Sequence, residues 1–504
     1  MKKNNKGITL IALIVTIIVL LILAGITVAS LSGDNGLIDK TSEAQFRTEI
    51  AQYQEDLDLS IIKEEGKNKR GRTNKFNATS YDDIKKIIPS FHKKYENSLV
   101  IEEDKLVFKG NNRDLYKLSY EMGLISSDDL LDDEILEELQ PFITEWTVEA
   151  GDIITLPISG TCDFTVNYGD GTEELKVTSS TDEDRIHTYT NAGRYTVTIK
   201  GKCEIINFYF NSDTVTREKI TKILQWGNIN VKEINFGNCK KLSGPIPDPS
   251  KNSFANTASV GRLFQNCSNL DCNIPKKILY NCNKLKTADR VFEGTKISGE
   301  IPERIFKDCE NVVNLESCFY GCNNISGNIP QGLFENCSNV TNLSWFFQGC
   351  TGITGPIPEE LFNKCSKVTN MAGIFRYCSG ITGDIPEKLF INCNKVTNFS
   401  NVFRFCPNVS GVIPEKLFSN CTEISDISAA FEGTKVSNIP ANLFLNCNKI
   451  TNFQSTFYDC SYLTGNAPDL WSRNNVTSSK YCFSRCRNLS NYNQIPKAWG
   501  GGGA

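Results

Sequence analysis

At 504 residues the chain exceeds one ordinary core and implies three or four domains. Acidic and basic residues are dispersed and nearly balanced at a net charge of -4, so no basic face argues for nucleic acid as a partner. His92 and His187 are the two histidines of the chain, far apart in sequence, which removes most hydrolase triads and most zinc sites. Twenty cysteines would mark a disulfide framework in a short secreted chain, but here most of them recur in two columns of a repeat.

Lys2, Lys3 and Lys6 precede an uncharged, largely apolar run from Ile8 to Gly33. About 20 apolar residues cross a hydrocarbon core, and lysines on the short side hold that end in the cytoplasm. Residues 8–33 are therefore expected to make a single pass of a bacterial cell membrane, with the C-terminal domains extracellular. The alternative is a cleaved secretory signal with an Ala-x-Ala-type cut near Ala29, although the run is longer than such signals need. The stretch Lys6-Gly7-Ile8-Thr9-Leu10-Ile11-Ala12-Leu13 resembles the prepilin-type leader of type IV pilins and pseudopilins. That resemblance implies that a prepilin peptidase removes residues 1–7, cutting between Gly7 and Ile8, and that pilin subunits are partners in a pilus. The family's glutamate at the fifth mature position is Ala12 here, which suits a minor or tip subunit, or a plain anchor, better than a major filament subunit.

Residues 34–78 read as a stalk helix and linker. The helix has Ala44, Ile50, Leu57 and Ile61 among many charges, and the segment from Lys67 on is charged and Gly/Asn-rich. Residues 79–145 read as a small, pilin-like α+β region: Ile84, Ile87 and Ile88 have helical spacing, and Leu99–Ile101 with Leu106–Phe108 form a hairpin around Glu103 and Asp104. The acidic run 128–138 lacks the spacing and glycine of a calcium loop and reads as a solvated face.

Residues 146–205 alternate like the strands of a small antiparallel β-sandwich, with Asp170 as a turn former and Cys162 and Cys203 placed so that a disulfide is open. Tyr168-Gly169-Asp170-Gly171-Thr172 together with His187-Thr188-Tyr189 and Tyr195–Ile199 resembles the polycystic-kidney-disease (PKD) domain, an immunoglobulin-like spacer of extracellular proteins. Residues 206–240 read as an N-terminal cap for a repeat region beginning at 241, with Phe236 covering its open core.

From 241 to 499 an Ile-Pro step returns about every 28 residues, at Ile246, Ile274, Ile301, Ile329, Ile357, Ile385, Ile413, Ile439 and Ile495, with Ala467-Pro468 filling the one gap. Such a period means a solenoid, whose units bury their apolar faces only by stacking. The far end offers Lys497-Ala498-Trp499 and a Gly-rich tail, so thin capping is expected there, with no sortase-type signal.

Inside the repeat, one apolar column is phenylalanine, from Phe264 to Phe483. A cysteine column follows it at Phe-x-x: Cys267, Cys322, Cys350, Cys378, Cys406, Cys460 and Cys486. It becomes Thr295 and Thr434 in two repeats, an exchange that a small buried group tolerates and a disulfide half or thiolate ligand does not, so buried free thiols are expected, with disulfides between stacked coils as the alternative. The second column runs from Cys282 to Cys447. Cys272, Cys318 and Cys482 stand outside both and are the thiols expected to be reactive. A polar column, Asn314, Asn342, Asn370, Asn398, Asp426 and Asn452, reads either as turn caps or as a ligand-facing ladder.

The phrase Phe-x-x-Cys-x-x-Ile-x-Gly-x-Ile-Pro resembles leucine-rich repeats, most of all the BspA-like repeats of bacterial surface proteins. The resemblance implies a leucine-rich-repeat solenoid that binds an extracellular protein or glycan. No convergent acid, base or nucleophile stands out, so no enzyme, cofactor or metal is expected. The expected function is that of a membrane-anchored surface protein presenting a repeat head for adhesion, with a minor pilin or pseudopilin as the alternative.

Overall fold

A computed structural model describes residues 37–67, 75–95, 98–109 and 140–503. The expected span 8–33, the Gly7–Ile8 junction and the acidic run 128–138 lie outside the described residues. No helix among the described residues is long and apolar enough to cross a membrane. The chain divides into two compact units, 1–136 and 137–504.

In the first unit, helix α1 (Leu37–Lys67) presents Phe46, Ile50, Tyr53 and Leu57 on one face, each at most 3% exposed. Their spacing of three or four puts them on one stripe. The stripe packs with Ile84 of helix α2 (Tyr81–Ile87) and with Leu99, Ile101, Leu106 and Phe108 of the hairpin β1 (Leu99–Glu102) and β2 (Lys105–Phe108). Glu103 and Asp104 turn that hairpin with φ of 48° and 70°, the geometry of a two-residue turn that matches strand twist. Polar bonds fix the helix further: Glu49 accepts from the Tyr95 hydroxyl at 2.8 Å, and the Tyr53 hydroxyl accepts from the His92 N–H at 3.1 Å. The solvated-stalk reading of this helix is therefore corrected over Phe46–Leu57, where the aromatic residues Phe46 and Tyr53 complete an apolar face.

The second unit opens with an antiparallel sheet region. Strands β3 (Phe142–Val148), β5 (Ile158–Asn167), β6 (Leu175–Val177), β8 (Gly193–Asn207) and β9 (Ile220–Gln225) run in the order β6-β5-β8-β3-β9. β4 (Ile153–Thr155) and β7 (Ile186–Thr188) pair separately. Cys162 and Cys203 face each other in register across β5 and β8 as free thiols, with sulfurs 3.7 Å apart. Asp170 ties the turn after β5 to β7: it accepts from the Thr172 N–H at 3.2 Å, and its other oxygen lies 2.7 Å from His187 Nε2. Burial would raise the Asp170 carboxyl, but the bonds from Thr172 and His187 outweigh it and hold the group below the usual carboxylate range. A depressed folded pKa gives stability that is present above the unfolded value and is lost as pH falls through the folded one. The melting temperature of the sheet region is thus expected to fall below about pH 4 in the native chain and to fall less in Asp170→Asn, measured by circular dichroism; equal acid sensitivity would contradict this role.

The decisive feature is the end of β8. Its earlier residues pair antiparallel with β3 and β5, but Ile205, Ile206 and Asn207 also pair in parallel with β10 (Glu233–Asn235). Glu233 bridges in parallel to Ser259, and from there the ladder steps through Thr287, Asn314, Asn342, Asn370, Asn398, Asp426, Asn452 and Ser478. One hydrophobic core runs without a break from Phe142 to Trp499. The segment 206–240 is accordingly not a separate cap. It contains the first coil, with Cys239 standing after Phe236 as the later column cysteines stand after theirs, and the sheet itself closes the solenoid's leading end.

The coil interior is an aromatic stack. Phe347, Phe375, Phe403 and Phe431 follow one another at 6.0, 5.8 and 5.8 Å between ring centroids. A second stack, Phe334, Phe362, Phe390, Phe418 and Phe444, runs beside it at 5.7–5.8 Å. Each buried ring contributes about 1.5–3 kcal/mol, with about 0.5–1.5 kcal/mol more for a well-placed aromatic pair. At the far end Trp499 stacks on Phe483, its carbonyl accepts from the Phe483 N–H at 2.8 Å, and the Gly503 N–H bonds Ile495 O at 2.9 Å. The expectation of a thinly capped end is corrected: the indole continues the stack, and the glycines after it fit where a side chain would collide with Ser484 and Ile495.

Candidate functional site

Two residues per coil adopt left-handed backbone on either side of the phenylalanine column, whose rings point into the core, and these flanking positions lie along one face of the solenoid. Arg262 and Asn266, Arg290 and Gly294, Ser317 and Gly321, Trp345 and Gly349, Gly373 and Tyr377, and Asn401 and Phe405 occupy these positions, with φ from 54° to 77°. Most coils place a small or polar residue in at least one of them. Tyr377 and Phe405 stand where Gly294, Gly321 and Gly349 stand in other coils, at a cost of about 1–2 kcal/mol each. Their rings stack at 5.1 Å and 19°.

Inward of this face the cysteine column has one repeated task. The thiols of Cys350, Cys378, Cys406, Cys460 and Cys486 each lie 2.9–3.0 Å from the carbonyl of the phenylalanine one coil back. Cys322 does the same toward Phe292 O at 3.0 Å and Cys267 toward Phe236 O at 3.2 Å. Thr295 and Thr434 bond the phenylalanine carbonyl of their own coil, both at 2.7 Å. All twenty cysteines are free. Burial pushes Cys322, Cys406 and Cys460 up to about 12 and Cys447 up to about 11, so these thiols stay protonated at neutral pH and are poor nucleophiles and metal ligands.

The polar column lies on the parallel ladder. Asn314, Asn342, Asn370, Asn398, Asp426 and Asn452 each accept, through Oδ1, the N–H two residues on, at 2.8–3.1 Å. Asn342 Nδ2 also donates to Glu316 at 3.2 Å and Asn452 Nδ2 to Asp426 at 3.0 Å, so adjacent coils are linked through the same side chains. Beside them the hydroxyls of Thr369, Thr397 and Ser425 reach the carbonyl of the equivalent residue one coil back, each at 3.1 Å.

Residues 300–415 and 387–499 match the family model described as "Mycoplasma protein of unknown function, DUF285". The C-terminal half carries a DUF285 repeat region. No curated protein matches the chain. Among solved structures, the crystal structure of a TLR13–ssRNA13 complex aligns at a TM-score of 0.13 and 11% identity, over 51% of this chain and 49% of that one. This chain thus spans about half the length of that chain, and a likeness at that score carries no structural argument.

Within and before the DUF285 region, Cys318 and Cys482 are at most 1% exposed, which corrects their reading as reactive thiols; Cys272 alone among the cysteines is partly exposed. Maleimide labelling of the native chain is expected to modify Cys272 first, and labelling of the other cysteines is expected only after unfolding. Native modification of Cys318 or Cys482 at the rate of Cys272 would contradict this. Among the described residues no group of three His, Cys, Asp or Glu is placed to hold a metal ion.

The charges on the left-handed face are mostly paired. Arg290 meets Asp289 at 3.3 Å and Glu293 at 3.2 Å, Arg404 meets Glu432 at 3.0 Å, Arg485 meets Asp459 at 3.7 Å, and Arg262 meets Asp289 at 3.8 Å. Burial pushes the Glu293 carboxyl up against the pull of Gln265 and Arg290. Arg376 has no carboxylate within ion-pair range among the described residues. Its guanidinium lies over the rings of Tyr377 at 4.8 Å and Trp345 at 5.9 Å. Periodicity could not single out this cluster, whose members come from different coils and vary from one repeat to the next.

Proposed function

We propose that the chain is a non-enzymatic, membrane-anchored bacterial surface protein whose repeat head, of the BspA-like leucine-rich-repeat type, binds an extracellular ligand. One observation carries the reading: the side chains that repeat from coil to coil are buried or bonded between coils, whereas the left-handed face carries aromatic and charged side chains that vary from one coil to the next. A stacked solenoid presents such a face as an extended, preformed surface. The PKD-like sheet region supports it by sharing its core, and the prepilin-type N-terminus supports membrane attachment through residues 8–33. The test is binding of the full-length chain, in detergent, to arrays of surface glycans and matrix proteins. Saturable binding is expected, and a chain that binds nothing on either array would sink the reading.

A second reading, a minor pilin or pseudopilin subunit, is favoured by the way α1 packs its Phe46–Leu57 face on a small hairpin unit. Mass spectrometry of the protein from its native membrane decides it. A mature chain beginning at methylated Ile8 and co-purifying with a filament supports the pilin reading, and an intact Met1 contradicts it.

A further inference from the structure

We infer that the depression around Arg376 binds a glycan whose pyranose rings carry carboxylates; this rests on the ligand-binding reading above and names the chemistry of its ligand. The depression is open, encloses about 380 Å³, and is lined by Arg290, Glu293, Glu316, Ser317, Tyr320, Trp345, Gln348 and Arg376.

Its two glutamates, Glu293 and Glu316, are both engaged by Arg290, which leaves Arg376 as the cation of the lining without a carboxylate partner. The neighbouring arginines on this face each have a carboxylate at hand, so they add little net field. Arg376 has none among the described residues, and its buried Nε has no hydrogen-bond partner. The planar guanidinium is held over two aromatic rings with donors unspent, which suits a carboxylate.

Its shape is set by a platform. A Cβ on Gly373 would meet Cε3 and Cζ3 of Trp345 at 2.0 Å, so the edge of the indole's six-membered ring rests on the glycine of the next coil. The backbone there does not require glycine: Ala429 takes the same column position with φ of 54°, against 59° for Gly373. The left-handed backbone costs another residue the same strain as at Tyr377 and Phe405, and the indole adds the steric demand for glycine. Tyr377 and Tyr320 flank the platform at 41% and 36% exposure.

A pyranose ring offers a face of C–H groups to an aromatic plane and hydroxyls at its rim, and Gln348, Glu316 and the Tyr320 hydroxyl are the rim's hydrogen-bonding partners here. A peptide would ask for a deep apolar pocket or an open strand edge, and this depression is shallow and largely polar.

Calorimetry on the full-length chain in detergent tests the inference, with hexagalacturonate and 3′-sialyllactose as the two carboxylated probes. At least one should bind, and its carboxyl-reduced counterpart should bind at least tenfold more weakly. Arg376→Gln should weaken binding at least tenfold with unchanged thermal melting, and Gly373→Ala, which displaces the indole without touching a polar group, at least fivefold in a chain that still folds by circular dichroism, its melting lowered by no more than the left-handed backbone costs. If neither acidic sugar binds, or if both variants bind as the parent does, the inference is overturned; equal Arg376-dependent binding of a polyglutamate peptide overturns the choice of a sugar. A parent chain that binds other surface ligands without regard to Arg376 would leave the broader reading standing while this one falls, whereas a chain that binds nothing removes both.

Discussion

Phe375→Ala is expected to lower the unfolding free energy by about 3–5 kcal/mol, the cost of removing a ring that the core cannot close over. Phe375 is fully buried, lies 6.0 Å from Phe347 and 5.8 Å from Phe403 in its own stack, and touches the second stack through Phe362 at 6.1 Å. The gap would therefore open in the middle of both columns. Phe375→Leu keeps most of the volume and should cost no more than about 1.5 kcal/mol. Guanidinium denaturation of the full-length chain checks both values. Because each coil contacts only its neighbours, the alanine variant should also show a first transition of reduced amplitude as the damaged coils open ahead of the rest. A loss below about 1 kcal/mol would contradict the stacked-ring account of the core.

Ile234→Asp is expected to be as damaging, by about 3–5 kcal/mol, because it puts an unpaired carboxylate at the junction of sheet and solenoid. Ile234 is 1% exposed, sits opposite Ile206 in the parallel pairing of β10 with β8, and sends its N–H to Ser259 O at 3.2 Å. Ile234→Val should cost only about 0.5–1.5 kcal/mol. If the sheet and the repeats were independent modules, the aspartate would loosen one coil and leave the sheet's melting unchanged. With the shared core, circular dichroism should show the sheet transition falling along with that of the adjoining coils.

The repeat was legible because solenoid physics writes itself at a fixed period: the same side chain must fill the same place in each coil. Phe264 to Phe483 and the Phe-x-x-Cys step are direct results of that demand. The second aromatic stack was harder to see, since Phe334 and Phe362 sit inside a Leu-Phe pair whose two members could not be told apart by periodicity alone. The exchange to Thr295 and Thr434 pointed toward packing, and the free, buried thiols facing phenylalanine carbonyls show what kind of packing it is. Spacing alone does not tell a cysteine outside a column from an exposed one, whereas Cys318 and Cys482 both belong to the buried core.

The junction left no mark in the sequence. Ile205–Asn207 alternate like any strand end, and nothing in their side chains says that a strand paired antiparallel along its length also pairs in parallel at its tip. The face around Arg376 was invisible for a different reason. Trp345, Gly373 and Arg376 meet only because coils stack, and none of them stands in a column that keeps one side chain through the coils. A period reveals what coils share, while a ligand is recognised by what they do not share.

The central claim is that the sheet region and the repeats are one structure built on a continuous core. Hydrogen exchange of the native full-length chain, read by mass spectrometry, tests it most directly. The amides of Ile234 and Phe236, bonded to Ser259 O and Leu263 O, should open with the same free energy as those of Val197 and Ile199 in β8. Early exchange across 206–240, with the sheet and later coils still protected, would contradict the claim.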